Sequence, residues 1–380
     1  MNVAIIGQGY VGSALGIEAY KAGHEVLGIE IDEKRRDILK DKVRYSVTGD
    51  YSKINGSEVV VIAVPTPLNE DRLPDLSFLE SACESLASEL NSSVLVVNES
   101  TSYPGTLRNF IAPILGEMHL YAAAPERIDP GNKRWRIDNT PRLLCGLTSE
   151  ATSKALDFYR SFCKDVVTVS TPEVAEAAKL FENTFRHVNI ALANEFAQIA
   201  QGLGISSYET LSAASTKPYG FMSFMPSIGV GGHCIPVDPT YLSFAAERKG
   251  VEASFVYLAN KLNSSMPRYL LQRIIQIMDG SISGKSIQVA GISYKADVPD
   301  TRESPALALI SLMRAHGAKV TWHDEVVSQW QSERSTPIAC VDLGVIATSH
   351  SGVNYSTWKN ENVMVIDVSP SPNVGWPKFL

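Results

Sequence analysis

A glycine-rich loop around one cysteine carries the most reactive group of the chain. Residues 229–239 read GVGGHCIPVDP, which sets Cys234 among glycines and places Asp238 four residues later. Glycines let a backbone approach a ligand closely and adopt positive φ, and a thiol on such a loop is presented rather than packed. Spacing alone is equally compatible with a packed structural cysteine. The glycines, His233 and Asp238 favour chemistry, so we predict that Cys234 is a nucleophile.

The chain also opens with a dinucleotide-binding fingerprint. Gly7, Gly9 and Gly12 follow a predicted strand and open a predicted helix, and Glu30 ends the next strand. In this arrangement the helix N-terminus faces a pyrophosphate and the carboxylate accepts hydrogen bonds from the ribose. We predict that NAD binds here through Gly7, Gly9, Tyr10, Val11, Gly12 and Glu30. A carboxylate would repel a 2′-phosphate, so NAD is favoured over NADP, and a cysteine with NAD indicates oxidation through a thiol-bound intermediate.

Polar side chains elsewhere could serve the same chemistry. Lys179, Asn183 and Arg186 have spacings of i, i+4 and i+7 and therefore share one helix face, where they could stabilise an oxyanion and hold a sugar or phosphate. The alternative is a solvated polar face. Lys295 and Arg302 follow the first strand of the last predicted domain and could bind a diphosphate, unless they only form ion pairs within the loop.

Glu126 follows a predicted strand end in the first domain, where doubly wound sheets place their ligands. The alternative is a surface carboxylate that pairs with Arg127.

Composition excludes several classes of protein. A net charge of −7 without a basic block argues against nucleic acid as a partner. Apolar runs are only of strand length, and the chain passes from Met1 directly into a strand, so we expect no signal peptide and no membrane span. Five widely spaced cysteines argue against disulfides and against a metal, and they favour the cytoplasm. We expect the four cysteines other than Cys234 to be buried.

The order of elements predicts an α/β protein with three domains. β-rich runs alternate with helical patterns up to residue 172, which predicts a parallel, doubly wound Rossmann sheet for residues 1–172. Residues 173–280 are predicted to be a central helical domain that carries the cysteine loop. The alternation resumes in residues 281–380, which predicts a second, Rossmann-like sheet. The helix from 173 to about 204 is longer than one small core needs, and we expect it to form the spine of a dimer or a higher oligomer.

Taken together, these segments resemble the nucleotide-sugar 6-dehydrogenase family, which comprises the UDP-glucose and UDP-N-acetylhexosamine dehydrogenases. The resemblance runs nearly end to end, with the motifs in family order. They are the fingerprint at 7–12, VPTP at 64–67, EST at 99–101, PGT at 104–106, PER at 125–127, the helix at 176–183, GGHCIPVD at 231–238 and RESP at 302–305. The family fold implies an N-terminal NAD domain, a helical middle that forms a homodimer, and a C-terminal UDP-binding domain.

The resemblance also implies the reaction and its residues. Two NAD⁺ accept hydride from sugar C6 in succession, and Cys234 captures the intermediate aldehyde as a thiohemiacetal that is oxidised to a thioester. Lys179 and Asn183 resemble the pair that holds the C6 oxygen and its developing charge. Asp238 resembles the carboxylate that partners the lysine and water. Thr101 and Glu126 resemble the residues that place or activate the hydrolytic water. Implied cofactor contacts also include Pro65, Thr66, Thr101 and Arg302. Implied substrate contacts are Arg127, Lys179, Asn183, Arg186, His187, Gly231, His233 and Lys295.

The cysteine loop, the segment 125–131 and the segment 182–186 resemble the N-acetylhexosamine branch, so a UDP-N-acetylhexosamine is the expected substrate. Two alternatives stay open: a UDP-glucose 6-dehydrogenase, and a shortened paralogue that binds nucleotide sugars without turnover. The sequence leaves open the sugar configuration at C2. The segments 38–58 and 323–345 are shorter than the family pattern, which puts the contacts to UDP in doubt.

Overall fold

The computed structural model describes residues 1–129, 131–132, 134–371 and 375–380. They divide into two compact units. The first unit contains Met1–Glu182 and Thr240–Glu252, and the second contains Asn183–Pro239 and Ala253–Leu380. Among the described residues, no helix is long and apolar enough to cross a membrane. The predicted domain boundaries at 172 and 280 stay predictions.

The first unit is built on a twisted sheet with the order β3-β2-β1-β4-β5-β6-β7-β8. Its strands are short and mostly buried, as the apolar runs predict, since both faces of the sheet are covered. They are β1 (Asn2–Ile6), β2 (Glu25–Ile29), β3 (Ser46–Thr48), β4 (Val59–Ile62), β5 (Leu95–Asn98), β6 (Leu120–Ala123), β7 (Arg142–Gly146) and β8 (Val166–Thr168).

One pairing departs from the predicted parallel sheet: β7 lies antiparallel to β6, with Ala123 opposite Cys145. The other neighbours in this sheet are parallel. A parallel neighbour requires a crossover, usually through a helix. The described residues between β6 and β7 contain no helix, so the chain returns in the opposite direction. This reversal brings the first residue of β7 to the ends of β5 and β6.

Helices cover both faces of this sheet. They are α1 (Tyr10–Lys21), α2 (Glu33–Lys40), α3 (Ser77–Glu89), α4 (Ala112–Leu115) and α5 (Ser149–Arg160). One apolar cluster, which includes Leu15 and Phe158, packs on one face, and a second, which includes Leu79 and Leu86, packs on the other. The shortened segment 38–58 contains β3 and a 3-10 turn at Tyr51–Ile54.

The predicted long helix is present as α6 (Pro172–Leu203), with 32 residues and a length of about 48 Å. Its first residue is a proline, which suits the first turn of a helix because no intrahelical partner awaits its nitrogen. The helices that follow it before the second sheet are α7 (Ser207–Ala214), α8 (Asp238–Glu247) and α9 (Ser254–Ile277). The cysteine loop connects α7 to α8.

The second unit contains a parallel sheet with the order β10-β9-β13-β14. Its elements are β9 (Ser286–Ala290), α10 (Pro305–Ala315), β10 (Lys319–His323), the hairpin β11 (Gln329–Trp330) and β12 (Glu333–Arg334), β13 (Leu343–Ile346), α11 (Ser356–Asn360) and β14 (Met364–Asp367). Met266 and Leu270 of α9 pack with Leu309 and Trp322 in its main core.

The cysteines largely follow expectation. Cys83, Cys145 and Cys163 are buried, and Cys234 is half-buried. Cys340 is exposed, which corrects the prediction of four buried cysteines. It lies in the loop that precedes β13, where little packs over the chain.

Candidate functional site

The glycines of the fingerprint have different roles in the turn between β1 and α1. A Cβ on Gly7 would lie 2.5 Å from the carbonyl oxygen of Ala63, and one on Gly12 would lie 1.9 Å from that of Gly7. A Cβ on Gly9 would have no atom within 4 Å. Gly7 and Gly12 are therefore required by packing, whereas Gly9 leaves open space at the N-cap of α1. This is the space that a pyrophosphate at a helix N-terminus needs, so the turn fits NAD.

Glu30 lies beside this turn. One of its carboxylate oxygens accepts a hydrogen bond from the backbone N–H of Gln8 at 3.0 Å, and the other accepts from that of Asp32 at 3.0 Å. Arg35 donates to the carbonyl of Gln8 at 3.0 Å, and Arg36 donates to the carbonyl of Glu30 at 2.8 Å. Glu30 is thus held next to the glycine turn, where it could accept from a ribose hydroxyl.

Loops at the carboxyl ends of β4 and β5 bring further predicted residues together. The backbone N–H of Val64 donates to the Ser100 hydroxyl at 2.9 Å, which ties the VPTP segment to the EST segment. Pro65 is exposed in this segment, and Thr66 is buried. Lys179, on α6, is 8% exposed and donates through Nζ to the Thr101 hydroxyl. The structure therefore places two of the predicted catalytic residues in direct contact within the first unit.

Glu126 belongs to a buried ion-pair cluster. Its Oε2 accepts from Nη2 of Arg142 at 2.5 Å, and its Oε1 accepts from the backbone N–H groups of Arg127 and Ile128. Burial raises the pKa of this carboxyl, but Arg142 and the two N–H groups outweigh burial and lower it overall. The alternative of a surface pair with Arg127 is wrong, because Glu126 is 5% exposed and pairs with Arg142.

Arg127 has a different partner. Its guanidinium donates two hydrogen bonds to Glu182 at the end of the unit, at 3.0 and 2.6 Å, and a third to the carbonyl of Pro141. A bidentate arginine–carboxylate pair fixes both side chains. Arg127 would have to give up Glu182 to reach a substrate, so its predicted role as a substrate contact lacks support. Pro130, in the same predicted segment, lies outside the described residues.

Sequence reasoning missed the function of Glu176 as an anchor of α6. Its carboxylate accepts from the backbone N–H of Gly105 at 2.6 Å and from that of Leu107 at 3.0 Å. Burial raises the pKa of Glu176 to about 7. The carboxylate therefore caps the helical segment at 107–115 and fixes the loop that starts at Thr101. The sequence signal for this residue was its place at the start of the family motif at 176–183.

The cysteine loop lies in the second unit and is packed tightly against the loop after β9. A Cβ on Gly231 would lie 2.7 Å from the Tyr294 side chain, and one on Gly232, which has φ +88°, would meet the Tyr294 ring at 2.7 Å. Gly232 also donates from its backbone N–H to the carbonyl of Arg302 at 2.9 Å. The sequence predicted a positive φ and a close approach of this backbone to a ligand. The atoms that Gly231 and Gly232 approach belong to the loop after β9. These glycines fix the position of Cys234.

Cys234 and Asp238 lie in one turn. The carbonyl of Cys234 accepts from the backbone N–H of Asp238 at 2.8 Å, and Asp238 begins α8. The buried Asp238 carboxylate accepts from Nδ2 of Asn183 at 2.6 Å. His233 and Cys234 are half-buried, and Arg186 is exposed on α6. The predicted trio of Asn183, Cys234 and Asp238 is thus brought together within the second unit.

A network of asparagines supports this loop. Asn194 of α6 accepts from the backbone N–H of Ser227 at 2.8 Å and donates to Oδ1 of Asn263 at 3.0 Å. Asn263 of α9 donates to the carbonyl of His187 at 3.2 Å. The three side chains are at most 2% exposed. His187 is therefore not a substrate contact: its side chain faces the interior, and burial lowers its pKa to about 4. The resemblance implied this contact, and no signal in the sequence indicated that the side chain is buried.

Lys295 and Arg302 lie on the loop after β9, as predicted. The Arg302 guanidinium pairs with Asp300, with the closest atoms 2.6 Å apart, so the ion-pair alternative holds for this arginine. Nearby, at the carboxyl ends of the parallel strands, a cavity of about 650 Å³ is lined by residues that include Asp297, Ser349, Asn354 and Lys359. In parallel sheets the carboxyl ends of strands are where ligands bind.

The first unit contains a glycine turn that fits a dinucleotide, and the second contains the cysteine loop, in which Asp238 is hydrogen bonded to Asn183. The glycine turn with Glu30 is typical of an NAD-dependent dehydrogenase, and comparison with known proteins gives the family. Family models match residues 36–163 (NAD binding domain), 173–265 (central domain) and 288–370 (UDP binding domain). The chain belongs to the UDP-glucose/GDP-mannose dehydrogenase family and is an NAD-dependent nucleotide-sugar dehydrogenase. The predicted family, three-domain fold class and cofactor are confirmed.

Individual relatives cover nearly the whole chain. It is 34% identical to the UDP-N-acetyl-D-mannosamine dehydrogenase of Pyrococcus horikoshii over 95% of this chain and 92% of the relative. It is 32% identical to the UDP-N-acetyl-D-glucosamine 6-dehydrogenase of Salmonella typhi over 92% and 88%. The solved structure of UDP-D-ManNAc dehydrogenase from Pyrococcus horikoshii matches with a TM-score of 0.86 at 32% identity, over 99% of this chain and 98% of that one.

Proposed function

We propose that this protein oxidises the C6 alcohol of a UDP-N-acetylhexosamine to the uronic acid, with two NAD⁺ consumed per acid. The observation that carries the proposal is the fixed arrangement of Cys234, Asp238 and Asn183. Asp238 follows the thiol by one turn and is hydrogen bonded to Asn183 at 2.6 Å. A nucleophile that must attack an aldehyde needs a held position and polar groups for the developing oxygen charge.

Each side chain has a role that its surroundings support. Lys179 and Asn183 lie one turn apart on α6, so both can reach the C6 oxygen of the substrate. Asn183 donates a hydrogen bond to this oxygen through its amide. Lys179 moves a proton to or from it through Nζ. When bound at the glycine turn, NAD⁺ would supply the hydride acceptor for C6. Cys234 adds to the aldehyde carbon, which keeps the intermediate attached until the second oxidation gives a thioester.

Hydrolysis of the thioester requires a water and a group that accepts its proton. Glu126 is the proposed base, and Thr101 is proposed to place the water. Arg142 lowers the pKa of Glu126, so the carboxylate is ionised at neutral pH and can accept a hydrogen bond from water. Attack of the water oxygen on the acyl carbon breaks the C–S bond, returns the cysteine sulfur as a thiolate and releases the carboxylic acid.

The cofactor contacts proposed are the turn at Gly7, Gly9 and Gly12 with its neighbours Tyr10 and Val11, the Glu30 carboxylate, and Pro65 with Thr66. Glu30 is fixed beside the turn by two backbone N–H groups, so it cannot swing away from a 2′-phosphate. We expect kcat/KM to be higher with NAD⁺ than with NADP⁺. Equal values would remove Glu30 from the ribose site and implicate Arg35 or Arg36.

The substrate proposal rests on the two relatives described above, both of which are named for acetamido sugars, and on His233 and Arg186. The UDP portion is assigned to the loop that carries Lys295. A site that hydrogen bonds an acetamide leaves buried groups unpaired when a hydroxyl replaces it, which can cost orders of magnitude in kcat/KM.

The test is the production of NADH with UDP-N-acetylmannosamine, UDP-N-acetylglucosamine and UDP-glucose. We expect one acetamido sugar to give the highest kcat/KM and two NADH per uronic acid. A kcat/KM for UDP-glucose that equals or exceeds both would refute the acetamido specificity. Binding of all three sugars without any NADH would refute the proposed oxidation itself.

We further propose that the chain forms homodimers and works in the cytoplasm. Apolar side chains follow one stripe of α6, namely Phe185, Leu192, Ile199 and Leu203, and they are 43 to 67% exposed. Spacings of seven and four residues place them on one helix face, which a second copy would cover. Cys234 must remain a thiol to act as a nucleophile, and a reducing compartment meets that need.

A further inference from the structure

A cluster in the first unit joins Glu126 to a second carboxylate that the proposed reaction does not use. Arg142, at the start of β7, donates from Nη1 to Oε1 of Glu99 at 2.8 Å and from Nη2 to Glu126 at 2.5 Å. Tyr159 of α5 donates its hydroxyl to the same Glu99 oxygen at 2.5 Å, and its ring stacks on the guanidinium at 4.7 Å. Glu99, Arg142 and Tyr159 are 0 to 4% exposed. One cation thus connects two carboxylates.

The charges in this cluster do not balance when both carboxylates are ionised. Among the described residues, Tyr159 and Cys163 are further titratable groups that act on Arg142. Burial raises the pKa of both, that of Cys163 to about 11, so both remain neutral at physiological pH. Two carboxylates and one guanidinium would leave one buried negative charge, which is costly in a protein interior. Oε2 of Glu99 is buried without a hydrogen-bond partner among the described residues. Glu99 is therefore the carboxylate that becomes neutral by binding a proton, and burial raises its pKa to about 7.

We propose that Arg142 and Glu99 are positioning residues for Glu126, and that ionisation of Glu99 strengthens Glu126 as the base for thioester hydrolysis. The inference rests on the function proposed above for Glu126. While Glu99 is protonated, the charge of Arg142 acts mainly on Glu126 and holds it as a weak base. When Glu99 ionises, the same guanidinium is shared by two carboxylates, and the affinity of Glu126 for the proton of the water increases.

The direction of the pH effect follows from this coupling. The proton of the attacking water passes to Glu126, so hydrolysis becomes faster as Glu126 becomes more basic. Glu99 loses its proton as the pH rises through about 7. We therefore expect the rate constant of hydrolysis to rise about three- to tenfold across that region. If the cluster had only a structural role, substitutions in it would change the stability of the protein but would keep the native pH profile of hydrolysis.

The experiment follows the acyl-enzyme in a single turnover. The full chain is mixed with UDP-N-acetylmannosamine and NAD⁺, and decay of the thioester on Cys234 is measured by intact-protein mass spectrometry between pH 6 and 9. Glu99→Gln keeps the size and one carbonyl acceptor but cannot ionise, so we expect decay to stay at the low-pH value of the native enzyme. Tyr159→Phe removes a hydrogen bond that favours ionised Glu99, so its midpoint moves to higher pH.

Arg108→Gln is the matched control, because it removes an exposed ion pair with Glu173 in the same unit and should keep the native profile. A native pH profile in Glu99→Gln would overturn the proposal, and so would an unchanged midpoint in Tyr159→Phe. Glu126→Gln separates the two levels of inference. If it decays at the native rate, the role proposed for Glu126 is wrong; if it decays slowly while Glu99→Gln keeps the native profile, only the coupling is wrong.

Discussion

At the scale of single residues, the three fingerprint glycines have two different roles. Gly7 and Gly12 are required by the packing of the turn, and Gly9 leaves space for a ligand. A Cβ on Gly12 collides with the carbonyl oxygen of Gly7, whereas a Cβ on Gly9 meets nothing within 4 Å. The fold therefore needs Gly12, and the space at Gly9 is available to a ligand. Structural and cofactor roles can be tested separately at these two positions.

Gly9→Ala should weaken NAD⁺ binding at least tenfold, because the added methyl occupies the space that a pyrophosphate needs. Its thermal midpoint without cofactor should stay close to that of the native protein. Gly12→Ala is the contrasting variant and should lose about 2 kcal/mol or more of stability, since its Cβ overlaps a backbone oxygen. Calorimetric titration with NAD⁺ and thermal unfolding measure the two effects. Native NAD⁺ affinity in Gly9→Ala would disprove a pyrophosphate at this turn.

Cys234→Ala should abolish uronic acid formation while NAD⁺ affinity stays unchanged, because the thiol is required only after the first hydride has left. The half-buried thiol makes room for alanine without a large packing loss. Acid formation is followed by chromatography, and cofactor binding by titration. Cys340→Ala, at an exposed position, serves as the control and should retain full activity. A variant at Cys234 that still makes acid at a comparable rate would exclude the thioester route.

At the scale of elements, α6 is the part that carries both Lys179 and Asn183, and Glu176 anchors its first turns. The Glu176 carboxyl accepts two backbone hydrogen bonds while its side chain is almost completely buried. A carboxyl whose pKa is higher in the folded than in the unfolded chain contributes stability at low pH and loses it as the pH rises. Glu176 has a folded pKa of about 7 and an unfolded value near 4.3.

Replacement of Glu176 by glutamine should therefore reduce the pH dependence of folding. The native protein should lose about 2–3 kcal/mol of unfolding free energy relative to Glu176→Gln between pH 5 and pH 8. Urea unfolding at the two pH values measures the difference. Glu150→Gln, at an exposed position on α5 of the same unit, is the control and should show no such change. Parallel pH profiles for native protein and Glu176→Gln would mean that Glu176 is already ionised in the fold.

At the scale of the whole molecule, the apolar stripe of α6 predicts association. A double variant, Leu192→Lys with Ile199→Lys, should shift the protein toward a monomer of 41.4 kDa, because two ammonium groups cannot be buried in an apolar interface. Light scattering at micromolar concentration measures the mass. Phe78→Lys, on α3 with a similarly exposed side chain, should leave the mass unchanged. A native protein that is already monomeric would contradict the dimer.

The sequence alone determined those features that are encoded locally. Apolar runs and helical spacing located nearly every long element, and the order of strands and helices gave the fold class, because periodicity reports which face of an element is buried. The glycine fingerprint with Glu30, and the four-residue spacing of Cys234 and Asp238, also lie within short stretches. In each case the residues involved are neighbours in the chain or lie one βαβ unit apart.

Only the tertiary structure decided which distant side chains meet. Arg142 joins Glu99 and Glu126 because β7 runs antiparallel to β6, and no periodic pattern specifies that direction. His187 shares a helix with Lys179 and Asn183 but turns toward Asn263, since the face that α6 buries depends on what packs against it. Packing, not spacing, also selected Glu182 as the partner of Arg127. Pairings across long sequence separations depend on the whole fold, so they become visible only in three dimensions.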